Sequence, residues 1–521
     1  MIIHNAKIYT ADKNFSIAEA MFIDSGNVVA VGSNDEILKN YSSENKIDAG
    51  GKFIYPGFFD PHCHFVYYGL ELYNVNLTGT KSFEEVIAKT IDHHKKIGGD
   101  WILGRGWDQN DWEVQEFPTK EKLDSLFPDV PVYLVRVDGH AALVNQTALN
   151  IAKFDENTVI DGGMLIQKNG RLTGVLIDNA KEEMKKLIPL QETKHVADAI
   201  LQAQKNCLAV GLTTVADAGL DKTKIDLVDQ LQKDDQLKMR VYAMVEGTED
   251  SSVLFFINHG PLKTDQLMVT AMKFYADGAL GSRGAMLLEP YADDPTNQGL
   301  MIHPKDYFRN AATSCLAAGF QMCAHAIGDS ANRLILDVYA EALKTKNDLR
   351  WRIEHCQVVN PNDLQKFANY SVIPSIQATH ATSDMYWVEE RLGPDRVKHG
   401  YAYNELLKQN GMIANGSDFP VEDINPLFGF YAAITRQDHE AFPEGGFQIE
   451  NALTREDALR AMTIWAAYSC FMDDKTGSLE VGKFADFVIL DKDIMEIEPK
   501  EILSAKVLKT FIDGEKVYEL E

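Results

Sequence analysis

The sequence contains no uninterrupted apolar run of about eighteen residues, so no membrane-spanning helix is expected. Its opening stretch, MIIHNAKIYTADK, lacks the basic start and long apolar core of a secretory signal, and a cytoplasmic location is the expectation. Cysteine is sparse: Cys63, Cys207, Cys315, Cys323, Cys356 and Cys470 are scattered, with no C-x-x-C pair. That excludes a zinc ribbon and a disulfide framework and leaves reduced, mostly buried thiols. Positive charge is also in deficit. Against 77 Asp and Glu stand 51 Lys and Arg, a net charge of −26. Such a surface repels phosphate backbones and anionic lipid on average, so neither nucleic acid nor a membrane is an expected partner, and a small-molecule substrate is. No internal repeat and no low-complexity linker interrupts the 521 residues.

What is present is ordinary globular composition, 45% hydrophobic and 25% charged, with a distinct order of elements. Residues 1–50 carry short strand signals: Ile2–Tyr9, then Ala20–Val31 broken by Ser25-Gly26-Asn27. The C-terminal end matches it, with Phe487–Leu490, Val507–Ile512 and a hairpin turn at Asp513-Gly514. Neither end is large enough to build a core alone, so the two are expected to pair into one small β-sandwich domain, 1–55 with 475–521. Between them strands alternate with amphipathic helices. Strands are expected at Thr213–Asp217, Arg240–Glu246, Met268–Tyr275, Gln321–His325, Arg352–His355, Val372–Gln377 and Met412–Gly416. Repeated β-α alternation predicts an α/β fold, a TIM (β/α)8 barrel over 56–474. The stretch 74–188 fits the alternation poorly. It holds a hairpin around Asn169-Gly170 and reads as an insertion near the barrel mouth.

The sharpest chemical signal is Pro56-Gly57-Phe58-Phe59-Asp60-Pro61-His62-Cys63-His64. Residues two apart on a strand share a face, so His62 and His64 can address one metal ion. Imidazole nitrogen suits zinc and its neighbours. Four more polar residues end strand-like runs: Lys273, His325, His355 and Asp418. The C-terminal ends of barrel strands are where this fold carries its chemistry. Taken singly, each has a structural alternative: a satisfied core histidine, an ion pair between Lys273 and Asp277, or a helix cap at Asp418. Substrate contacts are expected from Trp107, Asp108 and His140 in the insertion, from Arg283 as a carboxylate or carbonyl holder, and from Gln377 and His380 after another strand. Their alternatives are a packed Trp, a loop hydrogen bond and a surface ion pair. Trp101 and Trp112 are assigned to core or rim.

In order along the chain, PGFFDPHCH, RVDGHAALVN, KFYADGALGSRGA, AHAIGD, RIEHC, SIQATH, NGSDFPVEDINP and GSLEVGKFADFVILD resemble the amidohydrolase superfamily. The likeness is greatest to the amidohydrolase family 3 branch that contains N-substituted formamide deformylase and metal-dependent hydrolases of unassigned substrate. It covers nearly the whole chain and is specific for the branch, not for a substrate. The resemblance implies that His62 and His64 bind the more buried metal. It implies that His325 and His355 bind the second, or the single one, that Asp418 contacts metal and shuttles protons, and that Lys273 is carboxylated and bridges two ions. The cofactor so implied is a divalent metal, zinc, at one or two ions per chain. Such an ion makes a water acidic near neutral pH and polarises a carbonyl.

The function expected is hydrolysis of a non-peptide C–N bond, amide or formamide-like, in a small molecule. Two alternatives share the fold: a deaminase and a cyclic amidohydrolase. Deaminases of this superfamily usually carry a glutamate three residues after the strand-five histidine, where this chain has Gly328. A non-catalytic binding protein ranks below these because every ligand position is filled. Relatives often form homodimers, and a homodimer is the oligomer expected here.

Overall fold

The computed structural model describes residues 1–521 apart from Asp138, His140 and 190–192. The chain divides into two compact units, Met1–Val66 with Leu201–Glu521, and Tyr67–Ile200. Among the described residues no helix is long and apolar enough to cross a membrane. All six cysteines are free and buried.

The first unit is built on eight parallel strands: β1 (Phe58–Cys63), β2 (Leu212–Leu220), β3 (Arg240–Glu246), β4 (Leu267–Tyr275), β5 (Gln321–Ala326), β6 (Arg352–His355), β7 (Ile373–Gln377) and β8 (Ala414–Gly416). They are neighbours in sequence order, β1 beside β2 and so on to β8. Nearly every strand residue is buried, as expected where both faces of a parallel sheet are covered. Helices return the chain between strands. One example is Asp329–Leu343, which buries Ile335, Leu336, Val338 and Tyr339 and hydrogen-bonds through the Tyr339 hydroxyl to the carbonyls of Met322 in β5 and Arg352 in β6.

Just beyond the last strand the sheet meets its first. The Asp418 N–H donates to the His62 carbonyl at 2.8 Å, and the His64 N–H to the Phe419 carbonyl at 2.8 Å. Asp60 reinforces this seam, accepting from the Ser417 hydroxyl at 2.6 Å and the His62 N–H at 3.0 Å. Gly416 is required there, because a Cβ would lie 2.6 Å from Asp60 Oδ1 and 2.8 Å from the His62 backbone. The barrel is therefore a nearly closed one.

Both chain ends supply strands. A six-stranded sheet runs Glu515–Glu519, Val507–Ile512, Phe487–Leu490, Phe53–Pro56, Lys7–Tyr9, Ile17–Ala18. A four-stranded sheet runs Asn27–Gly32, Ala20–Asp24, Ile2–His4, Lys46–Asp48. One buried cluster draws on both, with Ile3, Met21, Ile23 and Val28 from the smaller and Ile8, Ile54, Phe487, Ile489 and Phe511 from the larger. Asn-Gly and Asp-Gly turns with both residues at positive φ make the hairpins at Asn169-Gly170 and Asp513-Gly514, the geometry that matches strand twist.

The second unit has its own six-stranded mixed sheet, ordered Gly163–Lys168, Arg171–Asp178, Ala141–Val144, Val132–Arg136, Ile102–Trp107, Val75–Asn76. The helix Phe83–Ile97 buries Val86 and Ile87 against it. Ser82 caps that helix by accepting from the Glu85 N–H, acidic residues fill its first turn, and Gly98 at φ 71° ends it.

A buried ion pair ties the barrel floor to the C-terminal sheet. Arg240, fully buried at the start of β3, donates through Nε and Nη2 to Asp486 at 2.8 and 3.2 Å, and also reaches Asp513. Its guanidinium stacks on Phe484 at 3.9 Å. Removing one partner strands a buried charge, which costs about 3–5 kcal/mol. We therefore expect Arg240→Met to lower the urea midpoint sharply and Arg240→Met with Asp486→Leu to recover much of the loss. A single variant as stable as the parent would contradict this.

Candidate metal centre

The barrel strands bring five imidazoles, a lysine and a carboxylate together at their C-terminal ends. His62 lies one residue before the end of β1, and its Nδ1 lies 2.5 Å from Glu354 Oε2. A carboxylate only accepts, so Nδ1 carries the proton and Nε2 presents its lone pair. Glu354 is fully buried on β6 and is gripped by Arg352, whose Nε and Nη2 donate to its two oxygens at 2.8 Å each. Arg352 also donates to the Pro61 carbonyl at 2.7 Å, so the same guanidinium steadies the strand that carries His62. Burial alone would raise the Glu354 carboxyl. Arg352 and His62 outweigh it and hold the group well below the usual carboxylate range.

Glu354 and its neighbour His355 both reach the interior because the strand loses its regular backbone at its last residue, His355. His355 has φ 75° and Cys356 φ 44°, a left-handed departure that turns the second side chain inward. His355 Nδ1 donates to Gln377 Oε1 at 2.8 Å, which leaves its Nε2 free. Its ring centroid lies 4.5 Å from that of His325 and 5.0 Å from that of His62. Burial pushes His325 down to about 3, with Lys273 adding to the effect, and pushes His355 well below the ordinary histidine value. Both are neutral donors at physiological pH, the form a metal needs.

Asp418, at φ 62° after β8, faces this cluster. Its Oδ1 is 3.2 Å from His64 Nε2 and 3.4 Å from His62 Nε2, and its Oδ2 is 3.8 Å from His380 Nε2. Burial would raise its pKa, but the imidazole-lined surroundings, His62 and His64 nearest, hold it well below the usual value. Asp418 Oδ1, His325 Nε2 and His380 Nε2 are buried with no hydrogen-bond partner. Orphaned polar atoms of this kind are rare inside proteins, and a cation beside Asp418 and His380 would satisfy those two, whereas His325 Nε2 lies nearest Asp277 at 3.7 Å. Two overlapping triads have one ligand atom each within 4.8 Å of one another: His62, His64 and Asp418, and His355, His380 and Asp418. Neutral imidazoles with one carboxylate form a donor set that fits a divalent transition metal.

Lys273 is fully enclosed on β4, its Nζ 3.2 Å from His62 Nε2. Burial lowers its pKa although Glu354 and Asp418 oppose the shift. Asp277 is not its partner. That carboxylate accepts from the backbone N–H groups of Met286, Ile327 and Gly328 at 2.8, 3.0 and 2.8 Å, and sits 3.7 Å from His325 Nε2.

The residues expected to touch substrate are placed variously. Trp107 is fully buried in the core of the second unit, its indole N–H donating to the Leu134 carbonyl at 2.8 Å. Packing against Trp112 and Phe117 makes it a core residue rather than one exposed to a ligand. Asp108 accepts from the Asn110 N–H and pairs with Arg136 in the same unit. His140 lies outside the described residues. Arg283 pairs with Asp293 through Nε and Nη2 at 3.2 and 2.8 Å. Gln377 and His380 do stand at the cluster, and Gln377 Nε2 is buried and unpaired.

Glu354, Arg352 and Asp60 were missed. The signal for the first two was a pair of opposite charges two residues apart inside a strand that must be buried on both faces. Buried charges survive there only when paired.

The family model described as "Amidohydrolase family" matches residues 46–518. The protein LONG AFTER FAR-RED 3 of Arabidopsis thaliana is 33% identical over 99% of this chain and 91% of its own length. N-substituted formamide deformylase of Arthrobacter pascens is 22% identical over 100% of this chain and 98% of its own. An uncharacterized metal-dependent hydrolase from Pyrococcus horikoshii OT3 superposes with a TM-score of 0.83 at 28% identity, covering 96% of this chain and 98% of that one.

The Glu354 contact yields a prediction. Outer partners of a ligating histidine typically govern affinity by about 10–100-fold. Glu354→Gln is expected to weaken metal retention against a competing chelator by that factor while the protein stays folded. Unchanged retention would remove Glu354 from the account.

Proposed function

The chain belongs to the amidohydrolase family, and on that premise we propose that it hydrolyses an amide or formamide-like C–N bond in a small molecule, with divalent metal held by the barrel-top cluster. The observation that carries this is the convergence of His62, His64, His355, His380 and Asp418 in two overlapping triads, with Asp418 Oδ1 and His380 Nε2 left without partners. The metal-dependent hydrolase of like fold supports it, and the formamide deformylase supports the choice of bond. Zinc suits the nitrogen-rich donor set, at one or two ions per chain. We also take the two sheets made by the chain ends as a small β domain attached to the barrel.

A divalent cation there supplies Lewis acidity toward a carbonyl and a more acidic water. The chain's own residues do the rest. Glu354 and Gln377 fix the proton positions of His62 and His355, so that the nitrogen facing the cluster is the lone-pair one. Asp418, ionised and faced by two imidazoles, takes the proton of the attacking water and delivers it to the departing nitrogen. An amine leaves only after that protonation. Gln377 Nε2 is an unused donor for a substrate oxygen. Burial lowers the Lys273 pKa and so favours its neutral amine, the form that can add carbon dioxide, releasing a proton and becoming an anionic carbamate.

A deaminase with the glutamate usual after the strand-five histidine is disfavoured by more than the residue type. A Cβ on Gly328 would lie 2.1 Å from the Met286 carbonyl oxygen, so no side chain fits there.

The test is release of amine from a panel of N-formyl and N-acyl amines by metal-loaded protein. Asp418→Asn is expected to lose about 10²–10⁴-fold in turnover while keeping most of its metal. Parent-like turnover in that variant would remove the shuttle role, and release of ammonia from ring amines instead of acyl cleavage would overturn the choice of bond.

A further inference from the structure

The two oxygens of Asp418 face different histidines. Oδ1 looks toward His62 and His64, and Oδ2 toward His380. His380 sits in the first turn of the helix Ala378–Asp384, which starts directly from the end of β7. That helix start is anchored by the Ala378 N–H donating to Asn415 Oδ1 at 2.9 Å, so the ring is delivered to the barrel mouth by two neighbouring strands. His380 Nε2 is buried and unpartnered. It lies 3.8 Å from Asp418 Oδ2 and 3.9 Å from Glu422 Oε1, too far for a hydrogen bond to either. Glu422 in turn accepts from the Ser383 hydroxyl at 2.7 Å. The ring centroid of His355 is 5.9 Å away at an interplanar angle of 20°, and its Nδ1 is already committed to Gln377.

Donor atoms around a tetrahedral ion with bonds of about 2.0–2.2 Å lie about 3.3–3.6 Å apart. The 3.8 Å between His380 and Asp418 is slightly wider than that, and a small side-chain rotation closes it. We propose that His380 is a metal ligand, completing with His355 a second ion position, and that Asp418 is the carboxylate shared between this position and the one at His62 and His64. The inference rests on the metal-centre reading above and adds to it a ligand from the helix after β7. A substrate-contact role for His380 gives way to a structural one at the ion.

The test uses metal-free full-length protein titrated with cobalt(II), followed by calorimetry and by the visible spectrum. Thermal unfolding checks that each variant is folded. The parent should take up about two equivalents, and His380→Ala should lose one of them or bind it at least about tenfold more weakly, with a changed visible band for that equivalent. His380→Gln, closer in size, serves in its place if the alanine variant does not fold. His62→Ala provides the separate control on the first position. If His380→Ala binds cobalt with parent stoichiometry, affinity within about twofold and an unchanged spectrum while His62→Ala loses metal, the His380 assignment alone is overturned. If both variants bind like the parent, the reading of the whole centre falls.

Discussion

A carboxylate buried at the middle of a barrel is tolerable only if something holds its charge, and Glu354 has Arg352 on one side and His62 on the other. Breaking such a pair by removing one member costs about 3–5 kcal/mol, because the survivor is left charged in a poor solvent. The arrangement also has a chemical direction. Arg352 keeps Glu354 ionised, ionised Glu354 fixes the proton on His62 Nδ1, and His62 Nε2 is thereby left to face Lys273 and Asp418. Arg352 also holds the Pro61 carbonyl, so one guanidinium sets both the electrostatics and the position of the first ligand strand.

The seam between β1 and β8 does the complementary work. Asp60 gathers Ser417 and the His62 backbone, and Gly416 lets the strands approach. Asp418, two residues on, has a left-handed backbone, as His355 does at the end of β6. Non-glycine residues at positive φ cost energy and persist where the surroundings fix them, commonly at functional sites. At His355 the departure turns a side chain inward that regular strand alternation would have sent outward. The pocket is thus assembled at the points where the strands stop being regular.

That division explains what could be read beforehand. The order of barrel strands followed from apolar runs separated by amphipathic helices, and β3 and β6 have the bounds expected of them. The histidines and Asp418 stood out because polar residues at the ends of apolar strands are conspicuous. Glu354 was hidden by its position beside His355, since period-two reasoning puts adjacent residues on opposite faces. Only the positive φ at His355, invisible in the sequence, brings both inside. The surroundings of Trp107 and Arg283 were hidden for a different reason. A Trp in a glycine-rich stretch and an Arg in a loop look available, but the first packs into a separate core and the second finds Asp293 ten residues on. Partners of long polar side chains are set by loop geometry that composition does not encode.

The most direct test of the account is the metal content of untagged protein purified without chelator, by elemental analysis. The structure predicts about one or two equivalents of a divalent transition metal per chain, because buried neutral imidazoles and an ionised carboxylate without other partners form a strong site. No bound metal, even after exposure to zinc, manganese or iron, would contradict the account at its centre and leave the cluster without a reason to be built this way.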